Sequence, residues 1–232
     1  MERTVAHVNV ESSSLRHDLL GEVTEREDPL TQAFGATGWP VHFKRDNEIQ
    51  GEGEPAEYFY QIESGAVRSY KLTDDGRRQI MAFHFAGDVI ELDASRQHRS
   101  SAAATATCVI RVAKRTATIG MALRIPDVAT EIWRRTASDL QFAQEHLLAL
   151  GRRNAEERMA SFLLEMADRS SSLLVELPMT RRDIADYLGL TVETVARILT
   201  QLEGDSVIRR SGRVIRLCNR SALRSLNACR AM

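Results

Sequence analysis

The sequence contains little of what marks several classes of protein. Its 232 residues include only three cysteines, five prolines and two tryptophans. The cysteines, Cys108, Cys218 and Cys229, are far apart and form no Cys-x-x-Cys pair. This spacing argues against a disulfide framework and fits a reducing cytoplasm, and it leaves a role of the cysteines in redox control open. No apolar run approaches the roughly 18 residues of a membrane span, so we expect no membrane partner.

The chain has almost no net charge, −1 at pH 7, although 27% of its residues are charged. The balance is uneven along the chain. From Gly151 onward there are 14 arginines and 10 acidic residues, a net of +4, which leaves −5 for the remainder. A basic C-terminal part favours an anionic partner, although an excess of this size does not establish one. Residues 1–30 are polar and lack the apolar segment of a secretory signal, so we expect an arm with one short helix near residues 13–20.

Short alternating apolar runs separated by turn residues fill the stretch between about residues 39 and 116, a pattern typical of β-structure. A short helix over Thr31–Thr37 is predicted to lead into it. The predicted strands are 41–43, 58–62, 66–72, 79–85 and 103–112, with turns at 51–56, 64–65, 74–76 and 86–88. Many short strands at this spacing favour a sandwich or a roll.

One long helix is predicted over Ile125–Leu150. Its apolar and small residues repeat at alternating intervals of four and three, as in a coiled-coil seam of about three heptads. The seam consists of Ala129, Trp133, Thr136, Leu140, Ala143, Leu147 and Leu150. These residues could instead pack on the helix's own domain. A helix of roughly 39 Å is longer than a small roll needs, so we favour parallel self-pairing in a homodimer.

Two short helices joined by a tight turn are predicted over 180–199. Thr180 can cap the first helix, with Asp183 three residues further on, and Gly189 can end it. Thr191 can cap the second helix. This is the arrangement of a helix-turn-helix, whose second helix enters the major groove of DNA.

The second of these helices has two faces. Its core face is predicted to carry Val195, Ile198, Leu199 and Leu202, and its other face Glu193, Ala196, Arg197 and Thr200. Glutamate can accept a hydrogen bond from cytosine N4, and arginine can bind guanine O6 and N7 together. The simpler interpretation is a surface helix with a Glu–Arg pair worth a few tenths of a kcal/mol.

The segments around the helix-turn-helix also have predicted structure. Gly151 is expected to end the long helix, and Asn154 to cap an amphipathic helix over 155–168. A short strand is predicted over 173–177. Beyond the helix-turn-helix we predict a hairpin of two strands, 207–210 and 213–217, with a turn at Ser211-Gly212. It would be a wing, and its arginines are candidates for phosphate contacts. A last helix is predicted after Asn219.

A roll, a long dimer helix and a winged helix-turn-helix in this order resemble the CRP/FNR superfamily of bacterial transcription regulators, and within it the FixK/FNR branch. Three blocks carry the resemblance, at 65–70 (with Asp75-Gly76 and Gly87-Asp88), 153–160 and 180–195. It implies an α+β fold without enzymatic activity. The implied parts are an N-terminal arm (1–30), a β-roll like the cyclic-nucleotide-binding jelly roll (31–122), a dimerisation helix (123–151) and a winged helix-turn-helix domain that binds DNA (152–232).

The resemblance also implies roles for individual residues. Glu193 would bind the cytosine and Arg197 the guanine of a TTG-type element. Val192 replaces an arginine of CRP proteins and Ala196 a serine of FNR proteins, and both could meet a thymine methyl group. The implied target is a palindrome like TTGAT-N4-ATCAA, with halves about one helical turn apart. Phosphate contacts are assigned to Arg181, Thr180, Thr191 and Thr194.

The roll carries no clear sign of an effector. CRP rolls bind cyclic AMP through a Gly-Glu pair and an Arg-Ser pair. Here the first pair is read as Gly87-Asp88, without the glutamate, and Arg99-Ser100 could imitate the second or be an ordinary solvated loop. Four-cysteine ligation of an iron–sulfur cluster fails by count, and nothing marks a haem ligand among His42, His84 and His98. We therefore expect no cofactor and no metal.

The resemblance thus favours a FixK-type regulator without an effector that controls genes related to oxygen limitation. The alternative is a CRP-type regulator gated by a small molecule such as a cyclic nucleotide. RNA polymerase is the expected further partner, because activation is the family's usual mode. Candidate contact surfaces are Asp74–Gly76 and the loop at Ser170.

Overall fold

The computed structural model describes residues 28–170 and 172–228, so the helix predicted near residues 13–20 and Cys229 lie outside it. The helices are α1 (Pro29–Thr37), α2 (Arg115–Ala122), α3 (Pro126–Arg152), α4 (Ala155–Ser170), α5 (Arg181–Leu188), α6 (Val192–Gly204) and α7 (Arg220–Ala228). The strands are β1 (Trp39–Phe43), β2 (Glu48–Gln50), β3 (Tyr58–Ser64), β4 (Ala66–Leu72), β5 (Arg78–Phe85), β6 (Val89–Ile90), β7 (Ser101–Ala104), β8 (Cys108–Lys114), β9 (Leu174–Glu176), β10 (Ile208–Ser211) and β11 (Val214–Leu217). Within the described ranges no helix is both long and apolar enough to cross a bilayer.

The N-terminal part is the expected roll, built from two four-stranded antiparallel sheets. Their strand orders are β1-β8-β3-β6 and β2-β7-β4-β5. Apolar side chains from both sheets fill the space between them, because alternate residues of each strand point inward. The fully buried members of this core include Ile62, Val67, Ala102, Cys108 and Ile110.

The prediction of a single strand over 103–112 is wrong. Two strands occupy this stretch: β7 ends at Ala104 in one sheet, and β8 begins at Cys108 in the other. The chain crosses between the sheets within three residues, and the Thr105 N–H and hydroxyl both bond to the Ala66 carbonyl there. The crossover contains neither glycine nor proline, so the sequence offered no turn signal.

Helix α1 starts two residues before the predicted boundary. The Asp28 carboxylate caps it, accepting hydrogen bonds from the backbone of Leu30 (3.1 Å) and Thr31 (3.0 Å), and Pro29 takes the first position. Leu30 and Phe34 are completely buried. Leu30, which we predicted to lie in the arm, therefore belongs to a second apolar cluster, which also contains Phe59 of β3 and Val128 of α3.

Helix α3 does not end at Gly151, as predicted, but continues to Arg152. A glycine in a helix costs only about 1 kcal/mol, which the neighbouring packing can offset. The chain leaves the helix at Arg153, where φ is −94° and ψ is 145°. Asn154 then caps α4 as predicted, accepting from the Glu157 N–H at 3.0 Å while its own N–H bonds to the Glu157 carboxylate at 2.9 Å.

The C-terminal part packs α4, α5, α6 and α7 with a three-stranded sheet of order β10-β11-β9. The β10–β11 hairpin is the expected wing, but its two-residue loop is Gly212-Arg213, one residue later than predicted, since Ser211 pairs with Val214. Two roll side chains on β5, Ile80 and Phe83, join the core of this part. The roll and the helix-turn-helix thus share buried apolar surface.

Candidate nucleic-acid interface

Helix α5 begins with the reciprocal cap expected from its sequence. The Thr180 hydroxyl oxygen accepts from the Asp183 N–H at 3.1 Å, and the Asp183 carboxylate accepts from the Thr180 N–H at 2.9 Å. The helix ends at Gly189, whose φ of 62° and ψ of 42° are left-handed. These two ends fix the angle at which the chain enters α6.

Helix α6 is capped by Thr191, whose hydroxyl oxygen accepts from the Thr194 N–H at 3.2 Å. The four side chains predicted to face the core are all buried, namely Val195, Ile198, Leu199 and Leu202. The opposite face is thereby turned to solvent, because residues at these spacings share one side of a helix.

The predicted reading face of α6 is accessible. Val192, Glu193 and Arg197 are exposed, and Ala196 is half-buried beside them. No ion pair joins the described side chains of Glu193 and Arg197, which weakens the interpretation of an ordinary surface pair. Hydrogen bonds from its own backbone and from the Thr191 hydroxyl hold the pKa of Glu193 below its usual range. Glu193 is therefore ionised near neutral pH and can accept hydrogen bonds.

The residues assigned to phosphate contacts are not equally free. Arg181 is exposed at the start of α5. The hydroxyl oxygens of Thr180 and Thr191 cap their helices, and the Thr194 hydroxyl lies 3.1 Å from that of Thr191. These threonines thus have a structural task in addition to any contact with DNA.

One arginine of the wing, Arg210, forms an ion pair within the chain. The Arg210 guanidinium donates to the Glu203 carboxylate through Nε (2.8 Å) and Nη2 (2.5 Å), which ties the wing to the end of α6. Arg209, Arg213 and Arg216 remain exposed. Seven residues separate Arg210 from Glu203, and no periodic pattern in the sequence marks this pair.

The seam of α3 lies on its exposed side. Trp133, Leu140 and Leu147 are 76%, 60% and 70% exposed. Ala129, Thr136 and Ala143 are exposed as well, and Leu150 is half-buried. The side of α3 that faces its own chain is formed by other residues, Val128, Glu131 and Ala149. The apolar row is thus not covered by the helix's own domain, and such a row is typical of an interaction surface.

In the roll, the two segments compared with the cyclic-AMP-binding pairs have separate partners. Asp88 pairs with Arg169 of α4 at 3.0 Å. The Glu91 carboxylate accepts from the Ser100 hydroxyl at 2.5 Å and from the Arg99 N–H at 3.3 Å. Glu91 adopts a φ of +47°, which is unusual outside glycine and cannot be read from the sequence.

The same carboxylate lies 3.2 Å from His98 Nδ1. The polar groups of His98, Arg99 and Ser100 thus converge on the Glu91 carboxylate of the same chain. The other two histidines considered as haem ligands are placed differently: His42 is exposed, and His84 Nε2 lies 3.0 Å from the Ser69 hydroxyl. Within the described residues no group of histidine, cysteine and acidic side chains could hold a metal ion. Burial raises the pKa of the Cys108 thiol to about 11, which keeps it protonated and unreactive.

Comparisons with known proteins match both parts of this architecture. A family model described as the Crp-like helix-turn-helix domain matches residues 157–226, and one described as the cyclic nucleotide-binding domain matches residues 40–121. The nitrogen fixation regulation protein FixK of Azorhizobium caulinodans is 44% identical over 204 residues, covering 85% of this chain and 82% of that protein.

Two further proteins are similar to this chain over most of its length. The fumarate and nitrate reduction regulatory protein of Vibrio cholerae is 32% identical over 216 residues, covering 90% of this chain and 81% of that protein. The solved structure of FixK2 from Bradyrhizobium japonicum has a TM-score of 0.80 and 48% identity, covering 84% of this chain and 99% of that one. The chain therefore belongs to the CRP/FNR superfamily, in its FixK branch, and is a DNA-binding transcription regulator.

Proposed function

We propose that the protein binds a palindrome like TTGAT-N4-ATCAA as a homodimer and activates genes needed under oxygen limitation. The observation that carries the proposal is the free face of α6. Glu193 and Arg197 are exposed there, one helical turn apart, and neither is engaged by an ion pair within the described residues.

The chemistry of this face suits a G·C pair flanked by A·T pairs. An ionised glutamate offers only acceptors, which match the cytosine amino group, and an arginine offers paired donors, which match guanine O6 and N7. The apolar side chains of Val192 and Ala196 on the same face suit thymine methyl groups. This combination favours a TTG-type half-site.

The dimer is supported by the apolar row of α3. The helix has 27 residues and a length of about 40 Å. Parallel pairing of two such rows would relate the two α6 helices by a twofold axis, as a palindrome requires. Small residues at Ala129, Thr136 and Ala143 would let the two helices approach closely.

We further propose that the roll acts without an effector. The Glu91 carboxylate already binds Ser100 and the Arg99 N–H, so an incoming phosphate would meet a negative charge at these donors. The Arg99 side chain is 73% exposed.

We also propose that the protein is located in the cytoplasm and contacts RNA polymerase. The relatives named above are regulators, which supports both proposals. The exposed hairpin turn at Asp74–Gly76 remains a candidate for that contact.

A titration with labelled duplex DNA tests the proposal. We expect fluorescence anisotropy to report tight binding to the palindrome, because both half-sites are engaged together. Changing the G·C pair to A·T in each half should weaken binding at least tenfold, since a mismatched pair costs about 1–3 kcal/mol. Equal affinity for the two duplexes would refute the assigned half-site.

Adding cyclic AMP to the same titration tests the roll. The affinity for the palindrome is expected to stay unchanged, because the Glu91 carboxylate occupies the donors. A tighter complex in the presence of cyclic AMP would favour the alternative, a regulator gated by a small molecule.

Arg181→Ala is expected to weaken binding to all sequences alike. A phosphate contact positions the protein without reading bases. The dimer loses two such contacts, one from each subunit, so the slope of log K against log salt should become less steep by about two. Titrations from low to moderate salt measure this slope. Arg124→Ala is the matched control, since Arg124 is also exposed but precedes α3 at the end opposite to the helix-turn-helix. An unchanged slope in Arg181→Ala would remove Arg181 from the phosphate contacts.

A further inference from the structure

We propose that two arginines of the roll, Arg68 on β4 and Arg78 on β5, position the helix-turn-helix for DNA by holding Asp183 and Asp186 of α5. We call these four residues the arginine clamp. The inference rests on the proposed binding of DNA by α6, and it assigns a task to a part of the roll that no base or phosphate contact involves.

The centre of the clamp is Arg78. Its Nε and Nη2 donate to Asp186 Oδ2 at 2.8 and 2.7 Å, and Nη2 also donates to Asp183 Oδ1 at 2.7 Å. Arg68 Nη1 donates to the same Asp183 oxygen at 3.3 Å. Asp183 is only 2% exposed. Charged groups with this little solvent around them keep much of their mutual attraction.

Apolar contacts beside the clamp fix the same two elements. Phe83 of β5 packs against Tyr187 of α5, with ring centroids 5.2 Å apart, and against Phe162 of α4 at 6.4 Å. All three rings are buried. Helix α5 cannot move away from β5 without breaking the clamp and exposing these aromatic rings to water, and both changes cost free energy.

The clamp also changes the charge that α5 presents to DNA. Asp183 and Asp186 lie within the first two turns of the helix that Arg181 starts, and free carboxylates there would repel phosphates. The two arginines offset this charge, and Arg68 Nη2 additionally pairs with Asp46 of the roll at 3.0 Å. Burial would raise the pKa of Asp183, but hydrogen bonds from Thr180 and the charges of Arg68 and Arg78 hold it below its usual range. Asp183 thus stays ionised near neutral pH and available to both arginines.

The geometry further indicates which arrangement the clamp stabilises. The clamp uses the side of α5 that faces β5, and Glu193 and Arg197 on α6 remain exposed. The roll therefore docks on the helix-turn-helix without covering the reading face. Loss of the clamp should weaken binding to DNA.

The test compares Arg78→Ala with Arg77→Ala in the full-length protein. Arg77 is the adjacent residue, 83% exposed, and its ion pair is with Asp75 in the same hairpin. We expect Arg78→Ala to lower the affinity for the palindrome roughly tenfold, with an unchanged salt slope, because Arg78 reaches the DNA only through α5. Arg77→Ala should bind like the wild type. Asp186→Asn is a milder variant that removes one charge and should act in the same direction.

A double-mutant cycle separates positioning from general loss of structure. Combining Arg78→Ala with Asp186→Asn should cost less affinity than the sum of the two single changes, because both remove the same ion pair. Fully additive losses would overturn the proposal, and so would equal affinities of Arg78→Ala and Arg77→Ala. Tighter binding by Arg78→Ala would overturn it too, because the clamp would then hold an inhibited arrangement.

Amide hydrogen exchange of the free protein completes the test without DNA. In Arg78→Ala, exchange should become faster in both β5 and α5, and stay unchanged in β3 and β8. An unchanged rate in α5 would show that the clamp does not hold it and would overturn the proposal. If the wild type failed to bind the palindrome, the proposed function would fail, whereas the exchange rates would still report on the clamp.

Discussion

Replacing Leu140 and Leu147 together by glutamate is expected to convert the protein to monomers and to abolish tight binding to the palindrome. The two side chains are largely exposed within one chain, so their replacement removes no contact from its core. In a parallel pair the change would bring four carboxylates into one apolar seam, where burying unpaired charges costs several kcal/mol each. Light scattering coupled to size exclusion measures the mass directly.

The loss of DNA binding follows from the loss of bivalency. A dimer engages its second half-site at a high effective concentration, and a monomer does not, so the affinity should fall on the order of 100-fold or more. Leu148→Glu is the matched control, because Leu148 is also an exposed leucine of α3 but lies off the seam. A dimeric mass for the double variant would show that the seam is not the interface.

Arg197→Ala is expected to cost about 1–3 kcal/mol of binding free energy on each half-site and to remove the preference for guanine. The reason is that a bidentate contact distinguishes guanine from the other bases, and alanine leaves both acceptors without a protein partner. The measurement is the ratio of affinities for the palindrome and for the duplex with A·T in place of the G·C pairs.

Arg181→Ala is the appropriate comparison for this variant. It should weaken binding to both duplexes by the same factor, whereas Arg197→Ala should bring the two affinities together. If Arg197→Ala kept the wild-type ratio, another residue would read the guanine. Arg209, Arg213 and Arg216 on the wing would then be the exposed arginines to examine first.

Much of the helix-turn-helix could be predicted because its determinants are local. The Thr180 and Asp183 cap, the left-handed Gly189 and the buried stripe of α6 each depend on residues within one or two turns of each other. Helical spacing fixes which side chains share a face, so the accessible positions of Glu193 and Arg197 followed from the sequence.

The contacts between the parts of the chain could not be predicted in this way. Arg78 and Asp186 are 108 residues apart, and nothing in the periodicity of either element couples them. The surroundings of Glu91 could not be predicted either. Its left-handed backbone and its hydrogen bonds with Arg99 and Ser100 depend on how the loop after β6 folds back. Sequence patterns therefore placed the reading face but gave no account of what orients it.

The apolar cluster shared by β5 and the C-terminal helices has a consequence for the evolution of such regulators. Ile80 and Phe83 belong to the roll by sequence, yet they complete the core around Phe162 and Tyr187. A roll transplanted onto another helix-turn-helix would leave this core unfilled unless the facing residues changed with it. The two parts of the chain are thus constrained to vary together, and neither behaves as an independently exchangeable unit.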